Sequence, residues 1–253
     1  MRILFIGDLY GRVGVDMLLE SLPELKEKHR PNLTIVNGEN AANGRGISKA
    51  IYKELMSAGV HAVTMGNWVF GRRDLLDYID GSNIIRPLNF PDAPGRGYLV
   101  IDYNATRVMV VNVLGRTFMN PNMNSPFSVV DDLLAAVEAD YTLIDIHAEA
   151  TSEKVAFGHY FDGRVDCIVG THTHVPTADN RRLPNGTIYM TDVGMTGPLD
   201  GVIGVKKEIV IERFTKGFST KNEVASGPRQ LNGILIDLEN RTSERIHMES
   251  ECL

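Results

Sequence analysis

Two histidines separated by one threonine, His172 and His174, follow the apolar run of VDCIVGTHTH. An apolar run that stops at glycine and passes into polar side chains reads as the end of a buried strand. In extended chain, residues i and i+2 project to the same side, so the two imidazoles can share one centre or serve two adjacent ions. Neutral imidazole is a common metal ligand at physiological pH. The same punctuation recurs along the chain. Asp8 follows LFIG, Glu39 and Asn40 follow IVNG, Asn67 follows VTMG, and His147 follows LIDI. Taken singly, an Asp or Asn after a strand is a turn former, and a lone His on an apolar strand is a hydrogen-bonded structural residue. As a set of seven, these residues point to a shared site.

Hard carboxylate and amide oxygens combined with imidazole suit Mn, Fe or Zn better than Ca. A structural zinc site closes with four ligands, often including cysteine. Here the candidates outnumber one such site, and the two cysteines, Cys167 and Cys252, lie in an apolar run and at the tail. Two metals bridged by a carboxylate fit the number, with Glu39 as the expected bridge. Two divalent ions ~3.5–4 Å apart activate a water and clamp phosphoryl oxygens. Attack on a phosphoester by hydroxide generated at the metals is therefore the expected chemistry. Two carboxylates against two dications leave the site positive, so an anionic phosphoester is drawn in.

The elements that must bring these residues together alternate. RILFIGD, NLTIVNGEN, VHAVTMGN, RVMVVNVLG, YTLIDIHAEA, VDCIVGTHTH and TIYMTDVG read as strands. VDMLLESLPELKEKH, SKAIYKELMSAG, RRDLLDYID, SPFSVVDDLLAAVEAD, TSEKVAFGHYFDG and KEIVIERFTKG read as helices, with Pro23 expected to weaken or kink the first. LNGILIDLEN and ERIHMESE alternate like an antiparallel pair at an edge. Such a rhythm argues for an α/β protein. In open α/β sheets ligands bind at the carboxyl ends of the strands, where all seven candidates fall. LNFPDAPGRGYL, rich in Pro and Gly, marks a seam between two halves, and residues 1–253 are read as a single domain.

The 253 residues are 43% hydrophobic and 23% charged, which is ordinary globular composition. A net charge of −6 argues against a protein that wraps nucleic acid by bulk charge. The opening MRILFIGDLYG turns polar too quickly for a signal peptide, and no run reaches the length of a membrane span. A soluble cytoplasmic protein is expected, with no membrane partner.

The stretches GD, NGENAANGRGI, TMGN, DIHAEATSEK and VGTHTHVPTADNRRLPNGTIYMTDVGMTGP, in that order, resemble the bacterial calcineurin-like metallophosphoesterases of the YmdB family. The resemblance runs from Met1 to about Leu238. It implies a four-layer α/β/β/α sandwich, a dinuclear centre of iron or manganese (with zinc as an alternative), and a homo-oligomer. The implied activity is 2',3'-cyclic-nucleotide 2'-phosphodiesterase. The expected partner is a small nucleotide phosphodiester, with RNA ends as a second class. By matching position, Asp8, Glu39, Asn40 and His174 would hold the first ion, and Glu39, Asn67, His147 and His172 the second. Tyr10 stands where the wider superfamily has a ligand His, a loss the YmdB family shares, with Asn40 taking the vacant place.

One departure bears on activity. The resembled family reads Gly-Asn-His in the third motif, and this chain reads GNW, so Trp68 occupies the position of the general-acid histidine. Indole has one N–H donor and no useful pKa, and general acid catalysis contributes roughly 10²–10⁴-fold. Slower turnover is expected, with metal binding retained. Trp68 has three further readings: a gap filler, a platform for a nucleobase, or a plug in a weakly active or non-catalytic metal- and nucleotide-binding regulatory protein. Arg72 or Arg73 is a candidate charge for the phosphate, and Arg45 a candidate rim residue. Glu149 is a candidate partner for a histidine ligand. DVGMTGPLDGVIG either shapes the substrate mouth or a subunit contact, or is a mobile surface loop. His29, His61, His159 and His247 read as structural or exposed.

Overall fold

The computed structural model describes residues 1–119, 122–217 and 221–250; Cys252 lies outside the described residues. The chain opens with β1 (Arg2–Ile6), β2 (Asp8–Leu9), α1 (Gly11–His29), β3 (Leu33–Asn37), α2 (Lys49–Ser57), β4 (Ala62–Thr64) and β5 (Ile84–Ile85). It continues through β6 (Tyr98–Tyr103), β7 (Thr106–Leu114), α3 (Pro126–Ala136), β8 (Tyr141–His147), α4 (Thr151–Tyr160), β9 (Cys167–Thr171), β10 (Arg181–Arg182) and β11 (Ile188–Met190). It closes with β12 (Met195–Pro198), α5 (Lys207–Lys216), β13 (Arg229–Asp237) and β14 (Thr242–Ser250).

In the first sheet β1, β3, β4 and β5 run parallel in that order. β13 lies antiparallel on the other side of β1, and β14 pairs along the whole of β13 as the edge strand the alternation anticipates. β2 is paired with β12, which in turn meets the start of β13. The second sheet has the order β10-β11-β9-β8-β7-β6, with β7, β8, β9 and β11 parallel. Residues 86–97 carry the chain from β5 in the first sheet to β6 in the second, so the Pro/Gly-rich seam is where the chain changes sheets.

Period-two alternation sorts the strands' apolar side chains into layers. Ile3 and Phe5 of β1 pack between the sheets with Val108, Leu143 and Val169. Leu4 and Ile6 point the other way, into Leu18 and Leu22 of α1 and Leu55 of α2. On the far side of the second sheet, Val111, Ile144 and Ile146 meet Val130 of α3 and Phe157 of α4. The result is an α/β/β/α sandwich. Strands buried on both faces explain the near-continuous apolar runs.

Some local expectations change. α1 runs through Pro23 without interruption. Proline removes a backbone bond there, and burial of Met17, Leu18, Leu22 and Leu25 offsets the loss. RRDLLDYID forms only a 3-10 turn over Arg73–Asp77, with Leu75 its one buried residue, too small an apolar face to hold an α-helix. α2 begins as the sequence indicates, with the Ser48 hydroxyl accepting the Ile51 N–H at 3.3 Å. Among the described residues, no helix is long and apolar enough to cross a membrane.

Phe5 is fully buried between the sheets. Phe5→Ala is expected to lower unfolding free energy by about 3–5 kcal/mol, read as a lower midpoint in urea with an unchanged slope.

Candidate metal centre

The parallel strands of both sheets end on one rim, and the seven candidates follow or end those strands. Asp8 follows β1, Glu39 and Asn40 follow β3, and Asn67 follows β4; His147 ends β8, and His172 and His174 follow β9. Glu39, His147 and His172 each offer a ligand atom, and these atoms lie within 4.8 Å of one another. His147 Nε2 is 3.0 Å from Glu39 Oε1 and 3.0 Å from His172 Nδ1. Asp8 Oδ1 is 3.7 Å from the His147 ring, and Asp8 Oδ2 accepts the His172 N–H at 3.2 Å. His174 Nε2 lies 3.1 Å from Asn40 Oδ1. Asn67 follows Gly66, where a methyl group would overlap Glu39 Oε2 and the His147 ring, so only glycine lets these two donors approach.

A buried polar network sets the orientation of this group. The Thr171 hydroxyl donates to Asp145 Oδ1 at 2.7 Å, so its oxygen accepts from His147 Nδ1 at 2.8 Å. That fixes the tautomer and aims the Nε2 lone pair at Glu39. Asp145 is held in turn by Thr64 at 2.6 Å and Asn37 at 3.0 Å. The histidine tip is tied from behind. Lys154, fully buried, donates to the Thr171 carbonyl at 2.7 Å and to Asp192 Oδ2 at 2.6 Å. Asp192 Oδ2 also accepts from the backbone N–H and hydroxyl of Thr173 at 3.1 and 2.8 Å. This support matters because His172 and His174 both have positive φ, 100° and 66°. Such backbone costs on the order of 1–3 kcal/mol per residue and persists only when the surroundings over-determine it. His174 Nδ1 is held by the Ile203 carbonyl at 2.9 Å, and its ring meets Tyr10 edge-on.

The electrostatics favour a cation. Burial pushes the His147 and His172 pKa values down to about 4, leaving both imidazoles neutral. His174 is lowered for the same reason. Burial pushes Asp8 up to about 7 and also raises Glu39. With the His147 proton on Nδ1, the Nε2 lone pair faces the Glu39 carboxylate, acceptor against acceptor. Among the described residues, Asp8 Oδ1 and Asn67 Oδ1 are buried without a hydrogen-bond partner. Buried acceptors left unmatched cost about 1–3 kcal/mol each, and an ion would satisfy them together. The nitrogen and oxygen donors thus fit a divalent metal of intermediate softness.

A cleft of about 400 Å³ opens over this cluster, lined by Glu39, His172, His174, Trp68, Arg45 and Glu149, among others. Trp68 is a half-buried wall of the cleft, and its backbone N–H donates to Glu39 Oε2 at 3.0 Å. The Arg45 guanidinium stands 4.3 Å over its ring. Arg72 turns away to Asp74 at 3.0 Å, and neither it nor Arg73 lines the cleft, so the rim charge is Arg45. Glu149 Oε2 lies 3.1 Å from His172 Nε2. Ile203 and Val205 bring the glycine-rich stretch to the mouth. His29, His61, His159 and His247 lie outside the cleft lining. The sequence reading missed Asp145, Lys154, Asp192 and Gly66. A signal existed for two of them: an Asp inside the apolar LIDI, and a TDVG at the end of an apolar strand.

A family model described as YmdB-like protein matches residues 4–250. A Bacillus subtilis (strain 168) protein named 2',3'-cyclic-nucleotide 2'-phosphodiesterase is 48% identical over 98% of this chain and 96% of its own. A crystal structure of a novel phosphatase from Mycoplasma pneumoniae superposes with a TM-score of 0.92 at 38% identity, covering 99% of this chain and 93% of that one. A hypothetical protein from Thermus thermophilus superposes with a TM-score of 0.93 at 39% identity, covering 99% of both chains.

Two substitutions separate the donors from their support. Gly66→Ala is expected to weaken manganese binding at least about tenfold in calorimetric titration, a loss of about 1.4 kcal/mol. Lys154→Met leaves Asp192 buried without its cation and is expected to cost about 3–5 kcal/mol in denaturant unfolding.

Proposed function

The chain belongs to the YmdB-like family, and from that membership we propose that it is a phosphodiesterase, dependent on two divalent ions, that hydrolyses 2',3'-cyclic nucleotides. The observation that carries the reading is the convergence of Glu39, His147 and His172 at a cleft, with unmatched acceptors beside them. The printed activity of the Bacillus subtilis relative supports the substrate class.

Asp8, Glu39, Asn40 and His174 would hold one ion, and Glu39, Asn67, His147 and His172 the other, with iron or manganese the metals in view. Ions so held would supply Lewis acidity toward the phosphoryl oxygens and would lower the pKa of water. The remaining work falls to the protein. Glu39 faces both donor groups, and the Trp68 N–H keeps its carboxylate from rotating. Arg45, braced on the indole, gives the cleft wall a positive charge for the phosphate. The Trp68 ring presents an aromatic surface, and base–aromatic stacking is worth ~1–3 kcal/mol. What position 68 lacks is an acid: indole donates a hydrogen bond but does not release its proton in the working pH range. The departing ribose oxygen then takes its proton from solvent, which lowers the rate without weakening the metal site.

Manganese- or iron-loaded protein is expected to hydrolyse 2',3'-cAMP, with activity lost to a chelator. Trp68→His is expected to raise kcat about tenfold or more, toward the range of general acid catalysis. Tight nucleotide binding without turnover, restored by Trp68→His, would identify a binding protein with degraded chemistry. Neither turnover nor binding in metal-loaded protein would reject the proposal.

A further inference from the structure

A second cavity, of about 430 Å³, opens beside the metal cleft. The two share Tyr10, Gly44, Arg45 and Asn222, so they form one continuous surface with Arg45 at the boundary. The outer cavity has a different chemical character. Among the described residues, its wall carries Arg45, Arg213 and Lys221 together with the amides of Asn43 and Asn222, and no carboxylate. Three cations around one hollow stand out in a chain of net charge −6. Of the acids near in sequence, Glu212 pairs with Lys216 at 3.0 Å, and Glu223 pairs with Lys206 at 2.5 Å while also lying within electrostatic reach of Lys221. The Arg213 guanidinium donates to Asn222 Oδ1, which braces it at the cavity wall. The cations come from separate parts of the chain: Arg45 from the loop after β3, Arg213 from α5, and Lys221 beyond α5. The fold, and no single charge run in the sequence, puts them together.

We propose that this outer cavity binds a second phosphate of the substrate, the one attached to the 5' oxygen of the cyclic nucleotide. The inference rests on the reading that the metal cleft takes the 2',3'-cyclic phosphate. With that phosphate over the metal donors, a nucleotide has two other handles, its base and its 5' oxygen. The base is uncharged and aromatic and matches the indole of Trp68. A hollow of guanidinium, ammonium and amide donors matches an anion, and charge-assisted contacts from arginine suit phosphate best. The preferred substrate is then a 2',3'-cyclic phosphate carrying a further phosphate on its 5' side. Such a group arises at the 3' end of an RNA when a 2'-hydroxyl attacks the adjoining phosphodiester, breaking its bond to the next nucleotide's 5' oxygen, which leaves as a hydroxyl with the proton the 2'-hydroxyl gave up. A strand-cleaving transesterification is the class of reaction that would supply it.

The test compares kcat/KM of the manganese-loaded enzyme on three substrates. These are 2',3'-cAMP, the same nucleotide with a 5'-phosphate, and a diadenylate ending in a 2',3'-cyclic phosphate. A phosphate on the 5' side is expected to raise kcat/KM about tenfold or more. The advantage over 2',3'-cAMP should shrink toward unity in Arg213→Ala and Lys221→Ala and persist in Lys221→Arg. Preference for the diadenylate assigns RNA ends, and preference for the 5'-phosphorylated mononucleotide assigns a free nucleotide; both support the cavity. Equal rates on all three substrates, or an advantage that survives both alanine variants, overturn the outer site while leaving the metal cleft standing. Hydrolysis of none of the three by metal-loaded protein overturns both.

Discussion

Buried electron-pair donors pointed at one another are the constraint on which this molecule is built. His147 Nε2 faces Glu39 Oε1 at 3.0 Å, and the unmatched oxygens of Asp8 and Asn67 lie beside them. Left alone, this arrangement is unfavourable, because desolvated acceptors repel and have lost their water. It holds together because the rest of the fold forces it. Gly66 removes the side chain that would hold the donors apart. Thr171 and Asp145 fix the imidazole so that it cannot flip to relieve the contact. A dication placed among these groups would reverse the sign of that balance, turning mutual repulsion into attraction.

The two sheets divide the labour. The first carries the oxygen-bearing candidates Asp8, Glu39, Asn40 and Asn67; the second carries the imidazoles His147, His172 and His174. Their relative placement depends on the apolar layer between the sheets, where Phe5, Val108 and Leu143 are fully buried. Close packing of that kind transmits small displacements, so side chains remote from the cleft set distances within it. The strained tip at His172 and His174 is the most demanding part, and it is anchored by the buried Lys154–Asp192 pair. A buried ion pair is a weak source of stability by itself. Here its hydrogen bonds to the Thr171 carbonyl and to Thr173 give it a positional use.

Much of this was legible in the sequence, and the boundary has physical reasons. Donors at the ends of apolar runs are visible because a buried parallel strand must stop where it meets polar residues, and that stop coincides with the ligand rim. α2 was legible from Ser48 and Gly59 because caps act locally. The supporting residues were hidden because their partners are distant in sequence: Lys154 reads as an ordinary helix-surface lysine until Asp192 and the Thr171 carbonyl are brought against it. β12 was hidden because MTGP carries turn-type residues, yet pairing with β2 and β13 makes it a strand. Arg45 and Arg72 could not be ranked from sequence, since which of them reaches the cleft depends on the path of the loop after β3. Trp68 was recognised as out of pattern, but its place as a wall beneath Arg45 is a tertiary fact.

The spread of the donors along the chain sets an order of events during biosynthesis. Asp8 is made almost at once and His174 only after two thirds of the polypeptide, while the carbonyl that steadies His174 belongs to Ile203. A nascent chain therefore presents the oxygen-bearing residues of the first sheet before the imidazoles of the second have been made. Because β12 and β13 of the first sheet also follow His174, the rim closes only when nearly the whole polypeptide is available.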